Sequence, residues 1–110
     1  MARKDRPETP DGRYFVARGR LCRKTDPGLS DGDRRAAIKA LMQARMAERK
    51  GGGPEARAAV LAAKTRLGEA GPVWWSDGTP DEAGCAPEDS TYAAWWAGLS
   101  EGQRRAGTGD

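Results

Sequence analysis

Gly71-Pro72-Val73-Trp74-Trp75-Ser76-Asp77-Gly78-Thr79-Pro80-Asp81, with Tyr92-Ala93-Ala94-Trp95-Trp96 shortly after it, holds all four tryptophans of a 110-residue chain. Elsewhere the large apolar pieces are few: Tyr14, Phe15 and scattered aliphatic residues in a chain where alanine dominates the apolar count. Losing one packed tryptophan costs about 3–5 kcal/mol, comparable with the whole stability of a modest domain. The tryptophans are therefore expected to fill the centre, and the two pairs are expected to meet there. Neighbouring rings cannot all be buried against one face. On a helix Trp95 and Trp96 diverge by about 100°, and in extended chain Trp74 and Trp75 point to opposite sides. At least one ring is expected to stay partly exposed.

Working outward, Pro87-Glu88-Asp89 opens a helix at the end where acidic side chains suit the dipole, and Tyr92, Trp95, Trp96 and Leu99 share its stripe. Residues 101–110 read as a flexible tail and 1–11 as a disordered arm, leaving 12–100 as one small domain. Arg13-Tyr14-Phe15-Val16 and Arg20-Leu21-Cys22-Arg23 bracket Gly19 and predict a bent strand or small hairpin. Ser30 with Asp33 resembles a capping box with Asp in the usual place of Glu, and a helix follows over 31–50. Its expected buried face is Ala37/Ile38, Leu41/Met42 and Arg45/Met46. After Gly51-Gly52-Gly53, Pro54 starts a second helix that ends at Leu67, with Gly68 as its left-handed cap. Ala56, Val60, Ala63 and Leu67 share one face of it, widened by Leu61. The two helices form an antiparallel hairpin. The fold class is α+β, or all-α if residues 13–24 are irregular.

The charges are unevenly spread. Residues 1–24 carry eight Arg/Lys against three Asp/Glu, residues 25–69 nine against six, and residues 70–110 two against seven. A basic front could steer a polyanion. Cys22 and Cys85 lack the spacing of a zinc or thiol–disulfide motif, and no signal-like apolar run stands at the N-terminus, so free thiols in a cytoplasm are expected. No stretch approaches the roughly 18 apolar residues of a membrane span, and no membrane partner is expected.

The segment from Asp11-Gly12-Arg13-Tyr14-Phe15-Val16 to Leu21, the Gly71–Asp81 block and Tyr92-Ala93-Ala94-Trp95-Trp96, with the helical hairpin between, resemble a family of small uncharacterised bacterial proteins. The likeness covers most of the chain, and its most specific part is the GPVWW block. It implies a shared fold and carries no activity. Two departures are Cys22, at a place expected to hold a large aromatic, and the Gly51–Gly53 connection, which is shorter and less charged.

With no histidine anywhere, the usual neutral-pH base, nucleophile triads and ordinary zinc sites are removed. No catalytic residue, metal or cofactor is assigned. Asp77 and Asp81, with Glu82, stand beside tryptophans in the layout of a carboxylate-based catalytic site or a Ca²⁺/Mg²⁺ site, but Asp77 and Asp81 also suit turn-forming roles. Nucleic-acid contact is open to Arg13, Arg18, Arg20, Arg23 and Lys24, where charge interleaves with rings. A docking face for a protein partner, or for a second copy, draws on the residue types enriched in hot spots and takes Trp75, Trp96, Met42 and Met46 as candidates.

Overall fold

The computed structural model of the chain describes residues 6–109. Element order is β1 (Tyr14–Ala17), β2 (Arg20–Arg23), α1 (Asp31–Arg49), α2 (Gly53–Leu67), a 3-10 turn at Pro87–Asp89, α3 (Ala93–Ala97) and α4 (Glu101–Thr108). The fold is α+β, as the tyrosine-, phenylalanine- and valine-rich first segment suggests. By its internal contacts the chain divides into two compact units. One joins the described parts of Met1–Lys24 and Thr79–Asp110, and the other is Thr25–Gly78. The tryptophans are split between them, Trp95 and Trp96 in the first and Trp74 and Trp75 in the second. Arg3 and Lys4 of the expected arm lie outside the described residues.

In the first unit, β1 and β2 pair antiparallel with Tyr14 opposite Arg23 and Val16 opposite Leu21. The two-residue loop places Arg18 (φ 55°) and Gly19 (φ 74°) in left-handed backbone, the twist that suits a tight hairpin. Two strands alone are marginal in water, and here both open edges are occupied. Pro7–Thr9 lies along β1, where Val16 N–H donates to Pro7 and Thr9 N–H donates to the Tyr14 carbonyl (both 2.9 Å). Gly84 and Cys85 lie along β2, through Leu21 N–H to the Cys85 carbonyl and Gly84 N–H to the Leu21 carbonyl (both 2.8 Å). Part of the expected N-terminal arm is thus an edge cover, with Thr9 itself buried.

Tyr14, Val16 and Leu21 from the inner side of the hairpin are almost completely buried, and Trp96 is buried with them in this unit. Gly107 closes it: a Cβ there would stand 3.1 Å from Val16 Cγ1 and 3.2 Å from Trp96 Cη2. The helix carrying Gly107 occupies residues expected as a tail. Its start is written in the sequence as Ser100-x-x-Gln103, and both arms of a capping box form, Gln103 N–H to Ser100 Oγ (3.1 Å) and Ser100 N–H to Gln103 Oε1 (2.9 Å). The helix expected from Pro87 onward is broken instead. Ser90 adopts extended backbone, its hydroxyl donates to the Pro87 carbonyl (2.7 Å), and Tyr92 N–H donates to that hydroxyl (3.0 Å). Serine here competes with the helical ladder, leaving α3 only five residues long.

The second unit is the helical hairpin and the Trp74–Trp75 segment. Ser30 caps α1 by accepting from Asp33 N–H (3.1 Å), and Gly68 ends α2 at φ 81°. Only glycine fits there: a Cβ would fall 2.9 Å from Asp26 Cβ and 3.0 Å from Trp74 Cδ1. The seam between the helices differs from the expected one. Ala37, Leu41 and Ala44 of α1 meet the buried row Ala56, Ala63 and Leu67 of α2, with Val60 only half-buried. Alanine at these positions lets the axes approach closely and turns the larger neighbours outward. Ile38, Met42, Met46 and Leu61 are 41%, 62%, 48% and 58% exposed.

Candidate interaction surface

Of the acidic candidates, Asp81 belongs to a connected polar cluster. Asp77 and Asp81 fall in different units. Asp81 accepts from the Tyr14 hydroxyl (3.1 Å) and from its own turn at Ala83 N–H (3.0 Å) through Oδ1, and from Arg23 Nη2 (3.0 Å) through Oδ2. The Tyr14 hydroxyl in turn accepts from Glu82 N–H (2.7 Å), while the Glu82 carboxylate accepts from Thr91 N–H and its hydroxyl. Next to it Tyr92 donates to Asp11 (2.6 Å), which also receives Thr9 Oγ1 (2.7 Å), and the Tyr14 and Tyr92 rings meet edge to face at 5.6 Å. Most of these contacts tie one segment of the unit to another. Among the described residues no three Cys, Asp or Glu side chains are grouped to hold a metal ion.

The electrostatics of the cluster follow from burial and from its acids. Burial pushes the Tyr14 hydroxyl up, as do the hydrogen bond to Asp81 and the negative charges of Asp81 and Glu82; the Glu82 amide opposes them, and the result is about 12. Tyr92 is raised in the same way, by burial first and then by Asp11. For Asp11, burial pushes upward, but the hydrogen bonds from Tyr92, Thr9 and the Arg13 amide outweigh it and hold the carboxyl below its ordinary value. The signs give a pH profile. A tyrosine raised in the folded state stabilises fully below its unfolded value of about 10, and that stability is lost as pH rises toward about 12. Asp11, being lowered, contributes above its unfolded value of about 4 and loses that contribution as pH falls through its folded value. Thermal unfolding midpoints measured across this range are expected to fall on the alkaline side, and Tyr14→Phe is expected to flatten that limb. An unchanged alkaline limb in the variant would remove Tyr14 as its cause.

The basic residues of 13–24 are divided by the strand register. Arg23 shares the inner side with Tyr14 and Leu21, and its side chain is 3% exposed and paired with Asp81. Lys24 pairs with Glu8 (2.8 Å), Arg13 stands 3.9 Å from Asp11, and Arg20 donates to the Gly84 carbonyl (2.8 Å). Arg18 and Arg20 are exposed at the hairpin tip; Arg13 and Lys24 are half-buried.

Each tryptophan pair has one buried and one half-buried member, the division that adjacent positions require. Trp75 and Trp96 are the buried rings, 9% and 8% exposed, and Trp74 and Trp95 the half-buried ones. The rings meet at 5.2 Å in the first pair and 6.2 Å in the second. The docking candidates Trp75 and Trp96 therefore serve as packing, whereas Met42 and Met46 stand in the open. Ile38 and Leu61 join them, so all four large residues expected in the buried face are exposed. The signal that could have found them is the pair of alanine rows, Ala37/Ala44 and Ala56/Ala63, which marks a close seam and sets its phase.

No family model, curated protein or solved structure matches this chain. No described helix is long and apolar enough to cross a membrane.

Proposed function

We propose that the chain is a non-enzymatic protein-interaction domain that docks through the outward side of its helical hairpin. The observation that carries this reading is the exposure of Ile38, Met42, Met46 and Leu61. Single exposed apolar residues are ordinary, but Ile38, Met42 and Met46 stand on successive turns of α1, a row of the kind that marks contact sites, and Leu61 is exposed on α2. Two of the four are methionines, whose flexible thioethers adapt to a partner's shape. The polar cluster around Asp81 supports the non-enzymatic half of the proposal, since its groups are engaged with one another. A bacterial, cytoplasmic setting belongs to the same proposal, resting on the resemblance of the GPVWW block and on the free thiols Cys22 and Cys85. Nucleic-acid binding by residues 13–24 has less support, because Arg13, Arg20, Arg23 and Lys24 are turned to partners within the fold.

A photo-crosslinking side chain at Met42 is expected to yield discrete protein adducts in native cells, and one at Ala58, on the reverse side, is expected to yield none. Met42→Lys and Leu61→Lys are expected to leave stability within about 0.5 kcal/mol of the parent, as surface changes do. Equal labelling from both positions, or severe unfolding by either lysine, would count against this face.

A further inference from the structure

Both tyrosines of the chain lie in the first unit, together with Trp95 and Trp96. Their rings run in contact. Between centroids, Trp96 to Trp95 is 6.2 Å, Trp95 to Tyr92 is 6.4 Å and Tyr92 to Tyr14 is 5.6 Å. Tilted and edge-to-face pairs at such spacings are ordinary packing. What packing does not require is the chemistry at the phenol end. Each tyrosine donates its hydroxyl proton to a carboxylate, Tyr92 to Asp11 (2.6 Å) and Tyr14 to Asp81 (3.1 Å). The first has the length of a charge-assisted bond. Access differs along the row: Trp96 and Tyr14 are 8% and 1% exposed, whereas Trp95 and Tyr92 are half-buried and reach solvent.

We infer that Trp96, Trp95 and Tyr92 form an electron relay that carries one-electron oxidation out of the tryptophan pair to Tyr92, where Asp11 takes the phenolic proton. The oxidant is an oxidising radical or a high-valent metal complex, which removes one electron from an indole and leaves its radical cation. Tyr92 returns an electron to Trp95 across the ring contact, and its O–H proton moves along the existing hydrogen bond to Asp11 Oδ2. The products are a neutral indole, a neutral tyrosyl radical and a protonated carboxyl group, so charge and electrons balance. A hydrogen atom from a soluble thiol then restores the phenol, the thiol leaving as a thiyl radical, and Asp11 returns its proton to water.

Electron and proton leave Tyr92 together. Burial and Asp11 hold its hydroxyl above the ordinary phenol value, so at neutral pH the group is a phenol. A phenol stripped of an electron is a far stronger acid than a carboxyl group. Asp11 therefore accepts the proton even though its hydrogen bonds hold it below the ordinary carboxylate value. Tyr92 is the terminus in preference to Tyr14 because its bond to the acid is shorter and its ring is open to a reductant. The benefit falls to Trp96: an indole radical that meets dioxygen is opened to a kynurenine, whereas a tyrosyl radical can be repaired. The second unit holds Trp74 and Trp75 in contact at 5.2 Å and no tyrosine, which makes that pair an internal reference.

The test oxidises the full chain with flash-generated ruthenium(III) tris-bipyridine, follows the radicals by transient absorption and locates products by peptide mass mapping. In the parent the tyrosyl signal is expected to grow as the indolyl signal decays. With a thiol present, less kynurenine is expected at Trp95 and Trp96 than at Trp74. Tyr92→Phe keeps the ring and removes the hydroxyl; it is expected to lose the delayed growth and to raise kynurenine at Trp95 and Trp96, with Trp74 unchanged. Trp95→Phe is expected to lose the same growth, Asp11→Asn to slow it and Tyr14→Phe to retain it. Tyr92→Phe and Trp95→Phe break the row at different rings, so either decides the matter where the other fails to fold. A tyrosyl signal that appears without delay and survives Trp95→Phe would show direct attack on Tyr92 and overturn the relay. So would kynurenine at Trp95 and Trp96 that Tyr92→Phe leaves unchanged. Growth unaltered in Asp11→Asn would remove Asp11 as the proton acceptor, and growth lost in Tyr14→Phe but kept in Tyr92→Phe would overturn the choice of terminus.

Discussion

Trp96→Ala is expected to lower stability by about 3–5 kcal/mol, the cost of emptying a large aromatic site that cannot fully collapse. The ring is 8% exposed and is met by the backbone of Gly107, where even a methyl group would press on it. Val16 faces the same glycine, so the hole would open where α4 meets β1. Two further features raise the cost. α3 is only five residues long and has no stability of its own, so its position depends on what its buried side chain touches. Arg104, which donates to the carbonyls of Ala97 and Leu99, ties α4 to the end of the same short helix. Trp95→Ala is the natural control: its ring is half-buried and it is expected to cost less than half as much. Because the chain has two units, the loss is best read by amide exchange in β1 and β2 during urea unfolding, not by one global signal. Equal losses for the two tryptophans would show that the ring at 96 is not the filler of this unit.

Local signals in the sequence carried much of the fold. Ser30, Pro54 and Gly68 at the end of α2 each act through neighbours within a few residues; Pro54 and Gly68 take the expected places, and of the expected capping box one arm forms, Asp33 N–H to Ser30. The Tyr14–Arg23 hairpin was legible for the same reason. What escaped was phase and distance. Period 3–4 spacing in α1 is equally satisfied by Ala37/Leu41/Ala44 and by Ile38/Met42/Met46. Choosing between them requires knowing that α2 also offers alanine, so that close approach outweighs the burial of larger side chains. This ambiguity hides the candidate surface: the spacing puts Ile38, Met42, Met46 and Leu61 in the buried face, and only residue type marks Met42 and Met46 as docking candidates. Ser90 broke a helix that composition favoured, because a hydroxyl that can bond the Pro87 carbonyl is not visible in a hydrophobic stripe. The separation of Trp74–Trp75 from Trp95–Trp96 into two units was beyond any local pattern. So was the covering of both sheet edges by Pro7–Thr9 and Gly84–Cys85.

The same long-range character makes Asp81→Ala the second large effect, expected at about 2–3 kcal/mol. The substitution leaves the Arg23 guanidinium without its carboxylate while that side chain is 3% exposed, and it removes the acceptor of the Tyr14 hydroxyl 67 residues earlier in the chain. It also frees Ala83 N–H, so the turn that carries Gly84 and Cys85 to the edge of β2 loses its own hydrogen bond. The pair is not fully shielded: Asp81 itself is 36% exposed, and solvent screening keeps the loss below that of a wholly buried ion pair. Asp81→Asn keeps an oxygen for Tyr14 and Ala83 and loses the charge, so it is expected to fall between alanine and the parent. The decisive measurement is a double-mutant cycle with Arg23→Met. If the ion pair is what matters, the double variant is more stable than the summed single losses imply, because the guanidinium that lost its carboxylate is removed with it. Strict additivity, or a loss for Asp81→Ala no greater than that for the exposed Asp89→Ala, would mean that the loop is held by its backbone. An acid whose oxygens are already committed to a tyrosine, an arginine and its own turn is poorly placed to exchange protons with a substrate. For that reason Asp81 belongs to the fold, and the large apolar side chains that remain open to a partner are those on α1 and α2.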